Sequence, residues 1–253
     1  MASRSTGTNA SRIGVSSGIW VVRDPAYGLH SLQRQFRQRL LLTLQSEHVR
    51  PIGFDELFRL AGPANRQSLA RLGYSDPHLS DPTLWRRLCM AGKETPGAGA
   101  FACFGAQGVA SYLIYFICGD TCYGLVSKSI DAARASGSNL AVYFTYAQSM
   151  IRQPGIAAVS IGAQTVPPKA GLDRIKRHAG YRLQPHDMAV CLRPAARLLL
   201  SSAAGGLAMR VGARMFGPGP ALDRAQTVRA MVRATDEGMR AWNADRGKSA
   251  IRT

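Results

Sequence analysis

Residues 121–161 read TCYGLVSKSIDAARASGSNLAVYFTYAQSMIRQPGIAAVSI, and this stretch decides the fold. It opens on an apolar run at 121–126 and closes on another at 157–161, and both runs are typical of strands. Between them, apolar residues recur at helical spacing over 139–153, and Pro154 with Gly155 ends that helix. Because a strand, a helix and a strand of one sheet form a parallel crossover, we expect the two runs to be parallel neighbours.

More strands lie on either side of this crossover. The run VASYLIYFIC at 109–118 is apolar on both alternating faces, which is typical of a central strand covered on both sides. Tight turns join it to its neighbours, so we expect an antiparallel meander. The remaining elements predicted for residues 100–194 are strands at 100–105, 157–161, 181–183 and 188–192 and a helix at 172–179. The order β-β-β-α-β-α-β-β predicts a mixed sheet.

The segments outside residues 100–194 differ in composition and in the spacing of their apolar residues. Residues 1–18 are rich in Ser, Thr, Gly and Ala, and we expect a disordered tail. Helical periodicity dominates up to about residue 91 and returns after residue 194. The predicted helices lie at 28–49, 54–61, 65–72 and 83–91, and, in a C-terminal extension over 195–253, at 195–216 and 221–243.

The chain is strongly basic, with 32 Lys and Arg against 15 Asp and Glu and a net charge of +17. The charge is diffuse, which favours contact with an anion but leaves open a phosphate-bearing cofactor, an anionic lipid or a nucleic acid. A membrane-spanning helix needs about twenty consecutive apolar residues, and we expect no such helix here. The N-terminus has no apolar stretch of the secretory type, so we expect a cytoplasmic protein.

Two motifs narrow the fold further. Residues 134–139 read RASGSN immediately before the crossover helix, and residues 171–181 read GLDRIKRHAGY. With the strand order, they resemble the GNAT (N-acetyltransferase) superfamily, whose pyrophosphate loop reads Q/R-x-x-G-x-G/A, and in particular its FemAB-like, polysaccharide-cluster branch. The resemblance covers residues 100–194. It implies an α+β fold in which helices flank a mixed, mostly antiparallel sheet, within an acyltransferase domain at 19–194.

The first motif predicts where a coenzyme A thioester would bind. The N-terminus of a helix carries unpaired backbone amides and partial positive charge, and a glycine lets a phosphate approach them. Asn139 stands where the family has Gly or Ala, and it is equally an ordinary helix cap, so a plain capped loop stays an alternative. The predicted cofactor-binding residues are Val126, Ser127, Arg134, Ser136, Gly137, Ser138 and Asn139.

The catalytic residues are implied by the resemblance. Many GNAT proteins use a tyrosine four residues before the Gly-aromatic step as the acid, and here that position is Lys176. Lys176 could hold a phosphate, orient the acyl donor or donate a proton, and a solvated surface lysine is the alternative. Asp131 and Tyr143, near the start of the crossover helix, are candidates for a base or a substrate anchor. No metal-binding motif occurs, so no metal is expected.

These observations predict an acyl-CoA-dependent N-acyltransferase, with acetyl-CoA as the first expected donor and another acyl-CoA as the alternative. The resemblance implies a small-molecule acceptor, an amino sugar or amino acid of envelope or exopolysaccharide synthesis. Two alternatives stay open: a degenerate GNAT-fold binding module without catalysis, and a basic anion- or nucleic-acid-binding protein, although no specific nucleic acid is expected. Residues 195–216 either rest on an anionic membrane at its inner face or pack against protein, and an oligomer stays open.

Overall fold

The computed structural model describes residues 15–72, 76–106, 108–165, 170–188, 192–216, 225, 227–233 and 235–237. Its sheet has seven strands in the order β2-β3-β4-β5-β6-β1-β7. The strands are β1 (Val15–Val22), β2 (His48–Pro51), β3 (Ala98–Gly105), β4 (Gly108–Cys118), β5 (Thr121–Ser129), β6 (Ala158–Ala163) and β7 (Arg182–Met188). The helices are α1 (Arg34–Ser46), α2 (Phe54–Leu60), α3 (Gly62–Leu72), α4 (Pro77–Ser80), α5 (Pro82–Glu94), α6 (Ala132–Ser136), α7 (Ser138–Ile151), α8 (Ala170–His178), α9 (Pro194–Ser201) and α10 (Ala203–Phe216).

The predicted meander and crossover are both confirmed. Strands β3, β4 and β5 pair antiparallel in sequence, and β4 is buried from Val109 to Ile114. The crossover through α7 makes β6 the parallel neighbour of β5. The sheet is therefore mixed and mostly antiparallel, as the sequence predicts, with helices on both faces.

Alternate residues of the central strands face two separate hydrophobic cores. Phe101 and Leu113 point to the core that α1 and α7 cover, whereas their neighbours Ala102 and Tyr112 belong to the core beneath α2–α5. This follows from the period of two along a strand. The aromatic ring of Tyr112 is therefore part of the core.

The sequence prediction is wrong for the first and the last strand of the sheet. Residues 15–18, expected in a disordered tail, begin β1, which pairs antiparallel with β6. Residues 184–187, expected as a turn between two strands, continue the single strand β7. The second strand expected at 188–192 falls mostly outside the described residues. The N-terminal strand β1 lies beside β6 in the sheet. The two strands are far apart in sequence, so the local periodicity of neither predicts that they pair.

The chain divides into two compact units. Ile19–Gln164 with Lys169–Gln184 form one, which contains both hydrophobic cores. The described residues of α9, α10 and the following helical turns belong to the other. There the segment expected as one helix over 195–216 breaks at Ser202, and Arg229 donates to the carbonyl oxygens of Leu200 (2.8 Å) and Ser202 (2.9 Å). Among the described helices, none is long and apolar enough to cross a membrane.

Candidate active site

The parallel strands β5 and β6 separate at their carboxyl ends. They pair at Thr121–Ala158, Cys122–Val159 and Tyr123–Ser160, and pairing ends there, although β5 continues to Ser129 and β6 to Ala163. A bulge explains the separation: Ile114 pairs with Val126 and Tyr115 with Gly124, which leaves Leu125 as the extra residue of β5. Because a bulge bends its strand, β5 leaves β6 at this point. Gly124 still lies close to Ile161, so the opening lies between residues 125–129 of β5 and the end of β6.

Two of the predicted site residues meet beside β5. The hydroxyl of Tyr143, in the second turn of α7, donates to Ser127 Oγ at 3.1 Å. Burial raises the pKa of Tyr143, and its bond to Ser127 partly opposes the rise. The phenol is therefore a neutral hydrogen-bond donor near pH 7. Val126, the neighbour of Ser127, packs against the opposite core, so its side chain faces away from Tyr143.

Lys176 lies beside β6. It is only 8% exposed, and its Nζ donates to the carbonyl oxygen of Ala163, the last residue of β6, at 3.1 Å. Burial lowers the pKa of Lys176, and the charge of Asp173 partly offsets this. The solvated-lysine alternative is therefore wrong, because a lysine this buried keeps little of its hydration.

Asp173 is a buried acid that the sequence analysis missed. Its side chain is 6% exposed, and its Oδ2 accepts a hydrogen bond of 2.7 Å from Gln164. Among the described residues, no group donates to its Oδ1. The signal was the spacing of Asp173 and Lys176, three residues apart on one helix, which places both side chains on one face.

Asp131 has a different environment. Its exposed carboxylate forms an ion pair with Arg71 of α3, and its amide donates to Gln67 Oε1 at 2.7 Å. Both partners belong to α3. Through these contacts Asp131 connects the end of β5 to α3. None of them involves Tyr143 or Lys176.

The segment 134–139, expected as a loop, is a helix–glycine–helix junction. Residues up to Ser136 form α6, Gly137 has a φ of +94°, and α7 begins at Ser138. The carbonyl oxygens that end α6 are held by α1, through Thr43 Oγ1 to Ser136 O at 2.5 Å and Arg39 to Ala135 O at 2.9 Å. This tertiary support explains why the segment is helical although the sequence shows no local periodicity.

The amides of this junction are partly engaged within the chain. Gly137 N donates to Ala133 O at 3.1 Å, and Ser138 N contacts Ser136 Oγ at 3.4 Å. Asn139 is not the cap of α7, since Gly137 holds that position. Its side chain donates to Ser129 Oγ at 3.1 Å and thereby links α7 to the end of β5. The side chain of Arg134 lies outside the described part of the structure.

The described residues contain no group of three or more His, Cys, Asp or Glu side chains that could hold a metal ion. The polar groups at the opening are instead Tyr143 with Ser127 on β5 and Lys176 with Asp173 next to β6. A neutral phenol and a desolvated ammonium can both donate protons to a developing negative charge. The opening therefore combines a strand edge that has no pairing with β6 and two groups that can donate a proton.

Comparison with solved structures gives the same fold. FemX superimposes with a TM-score of 0.55 at 13% identity, over 72% of this chain and 64% of FemX. The chain has a GNAT-type fold. Less similar are the C-terminal domain of a putative lysylphosphatidylglycerol synthetase from Agrobacterium fabrum (TM-score 0.47, 10% identity, 68% of this chain and 60% of that one) and a GCN5-related N-acetyltransferase from Kribbella flavida (0.42, 13%, 68% and 55%).

The match of the GNAT-type fold therefore spans less than two thirds of each of these proteins. No protein-family model matches the chain, and no curated protein matches it in sequence. At 10–13% identity these likenesses concern the fold. The activity has to be argued from the residues at the opening.

Proposed function

We propose that this protein is an acyltransferase that moves an acyl group from a coenzyme A thioester to an amine. The observation that carries the proposal is the separation of β5 from β6 after the bulge at Leu125. Within the described residues, the backbone of β5 beyond Tyr123 has no partner strand on the β6 side. An extended chain with amide groups, such as the pantetheine arm of coenzyme A, can pair with such an edge as an added strand would.

The residues at the opening fit the chemistry of acyl transfer. A neutral amine attacks the thioester carbonyl, the carbon–sulfur bond breaks, and the nitrogen releases one proton to solvent, from which the proton donor is restored. The leaving thiolate needs a proton. The Tyr143 hydroxyl, oriented by Ser127, and the Lys176 ammonium are the candidates to supply it. The lowered pKa of Lys176 favours proton release, because its conjugate amine is less basic than that of an exposed lysine.

The phosphates of the donor would lie at the N-terminus of α7. With Gly137 N and Ser138 N bonded within the chain, we assign the contact to Arg134 and to the amide of Asn139. Acetyl-CoA is the donor to test first. The acceptor class, an amino sugar or amino acid of envelope or polysaccharide synthesis, rests on the resemblance of the motifs.

A non-catalytic binding module is the second candidate. The internal bonds of the Ser136–Ser138 junction favour it, because they occupy donors that a coenzyme A site uses. The two candidates differ in turnover. A module would bind acyl-CoA or its acceptor and release no free coenzyme A.

The test is chromatographic detection of free coenzyme A after incubation with acetyl-CoA and a panel of amino sugars and amino acids. We expect release with at least one acceptor, and a loss of turnover of about a hundred- to ten-thousandfold in Tyr143→Phe and in Lys176→Met, the range for a lost proton donor. Tyr115→Phe and Lys93→Met, a partly buried tyrosine and an exposed lysine elsewhere, are the controls. Acetyl-CoA binding without release across the panel would support the module instead.

A further inference from the structure

A cavity lies at the other end of β1 from the opening between β5 and β6. Strand β1 runs antiparallel to β6, so that Ile19 pairs with Ala163 at the open end and Val22 with Val159 at the closed end. Just past Val22 is a cavity of about 670 Å³. Its walls are the end of β1 with the segment that follows, the last turn of α8 and the start of β7. It is therefore separate from the residues assigned to acyl transfer.

The lining of this cavity is strongly basic. Arg23, Arg177 and Arg182 face it together with His30, and Asp24 is the one acid among the described residues that line it. The Oδ1 of Asp24 already accepts the amide of Ala26 at 2.9 Å. Three guanidinium groups around one concavity repel one another, and an anion bound between them would relieve that repulsion.

Another cavity of similar size has a smaller net charge, with three basic and two acidic residues against three arginines and one acid in the cavity beside β1. This other cavity, of about 610 Å³, lies between α2 and α5, and its charged residues are Arg59, Arg86, Lys93, Asp55 and Glu94. Lys93 pairs with Asp55 at 2.7 Å. The acidic residues thus offset more of the basic charge there than Asp24 does in the cavity beside β1.

The cavity beside β1 is also held in a defined shape. Arg23 donates to Gln184 Oε1 at 2.9 Å, and the Arg177 guanidinium lies 5.9 Å from the centre of the Trp20 ring. Under these side chains, the Tyr27 hydroxyl donates to Ala179 O at 2.7 Å. Arginines that are oriented before binding lose less side-chain entropy when they bind an anion.

We propose that this cavity binds the phosphate group of a small phosphorylated molecule. Arginine forks match the geometry of phosphate oxygens and donate two hydrogen bonds each. The volume is that of a small-molecule site. The site goes beyond the proposed acyl transfer, because it would bind its ligand whether or not the opening between β5 and β6 binds acyl-CoA.

The experiment is calorimetric titration of inorganic pyrophosphate, inorganic phosphate and citrate into the full chain at constant ionic strength. We expect pyrophosphate to bind the wild type and to bind Arg23→Ala and Arg177→Ala at least tenfold more weakly. Arg59→Ala and Arg86→Ala, in the cavity between α2 and α5, are the controls and should keep the wild-type affinity. All four arginines are surface residues, and circular dichroism would verify that each variant is folded.

Three outcomes would overturn the proposal: no pyrophosphate binding by the wild type, equal losses in the control variants, or tighter binding of citrate than of pyrophosphate. The last outcome would assign the cavity to a carboxylate. Acetyl-CoA titrated into Arg177→Ala separates this site from the acyl site. Its affinity should equal that of the wild type, so the failure of either proposal would leave the other testable.

Discussion

Gly137 is the residue at which α1, α6 and α7 come together. Its φ of +94° lies in the left-handed region, and a Cβ there would be 2.7 Å from Thr43 Oγ1 and 3.2 Å from Arg39 Nε. Two independent constraints therefore select glycine: the backbone conformation and the close approach of α1. A larger residue at this position would therefore disturb the fold as well as the approach of a phosphate.

We expect Gly137→Ala to lower the free energy of unfolding by more than the about 1–2 kcal/mol that a left-handed non-glycine residue costs. The matched control is Gly155→Ala, because Gly155 has a φ of +83° and no described atom lies within 4 Å of the Cβ that alanine would add. Urea unfolding followed by circular dichroism measures both. If the free energy of unfolding fell equally in the two variants, the close approach of Thr43 would add nothing to the cost of a Cβ at residue 137.

Lys176 makes the stability depend on pH in a defined direction. Its pKa is lowered in the folded protein by burial and returns to its ordinary value on unfolding. Between these two pKa values the unfolded chain binds more protons, so this group adds stability as the pH rises through the folded pKa. Below the folded pKa the buried charge is present and the cost is greatest.

We therefore expect Lys176→Met to lose this alkaline gain, so that its stability relative to the wild type is highest near neutral pH and declines as the pH rises. Urea midpoints measured between about pH 7 and the ordinary lysine pKa of about 10.4 test this. Lys93→Met is the control, because the hydrogen bond that Lys93 donates to Asp55 raises the pKa of Lys93, so its effect on stability changes only above this pH window and the variant should run parallel to the wild type within it. If the urea midpoints of the wild type and Lys176→Met changed in parallel with pH, the lowered pKa of Lys176 would be contradicted.

At the scale of elements, α9 and α10 carry an apolar surface that the described structure leaves uncovered. Leu198 is 72% exposed, Leu199 63% and Leu207 58%. Residues 192–216 also contain four arginines and no acidic residue. Exposed leucines beside arginines are typical of helices that rest on anionic membranes. This favours the membrane-contact alternative that the sequence analysis left open.

We expect the protein to sediment with vesicles that contain anionic lipid, and Leu198→Asp or Leu207→Asp to weaken this binding. Each change adds a negative charge and removes an apolar contact. Leu42→Asp, at a position 65% exposed on α1, is the matched control. Sedimentation that is equal for all variants, or that neutral vesicles also support, would exclude these helices as the contact.

Elements with a strong local pattern could be predicted from the sequence, and elements that depend on distant contacts could not. The meander β3–β4–β5 and the crossover through α7 follow from apolar runs and turn residues. The short helix α6 and the pairing of β1 beside β6 do not, because α1 stabilises the first and the second joins residues far apart in sequence. Tyr143 and Lys176 are candidates from the sequence, whereas Asp173 is a candidate only because the structure shows that it is buried.

At the scale of the whole molecule, the GNAT-type fold places three distinct surfaces on one chain. They are the opening between β5 and β6, the arginine cavity at the far end of β1, and the exposed leucines of α9 and α10. Each is carried by different residues and each has its own test. The account depends most on the opening, because the proposed activity rests on what binds there.

The decisive measurement is calorimetric titration of acetyl-CoA into the full chain and into Arg134→Ala. We expect the wild type to bind and Arg134→Ala to bind about ten- to a hundredfold more weakly, since a charge-assisted hydrogen bond contributes about 1.5–3 kcal/mol. Arg59→Ala should bind as the wild type does. Failure of the wild type to bind acetyl-CoA or any longer acyl-CoA would contradict the assignment of the opening as an acyl-CoA site.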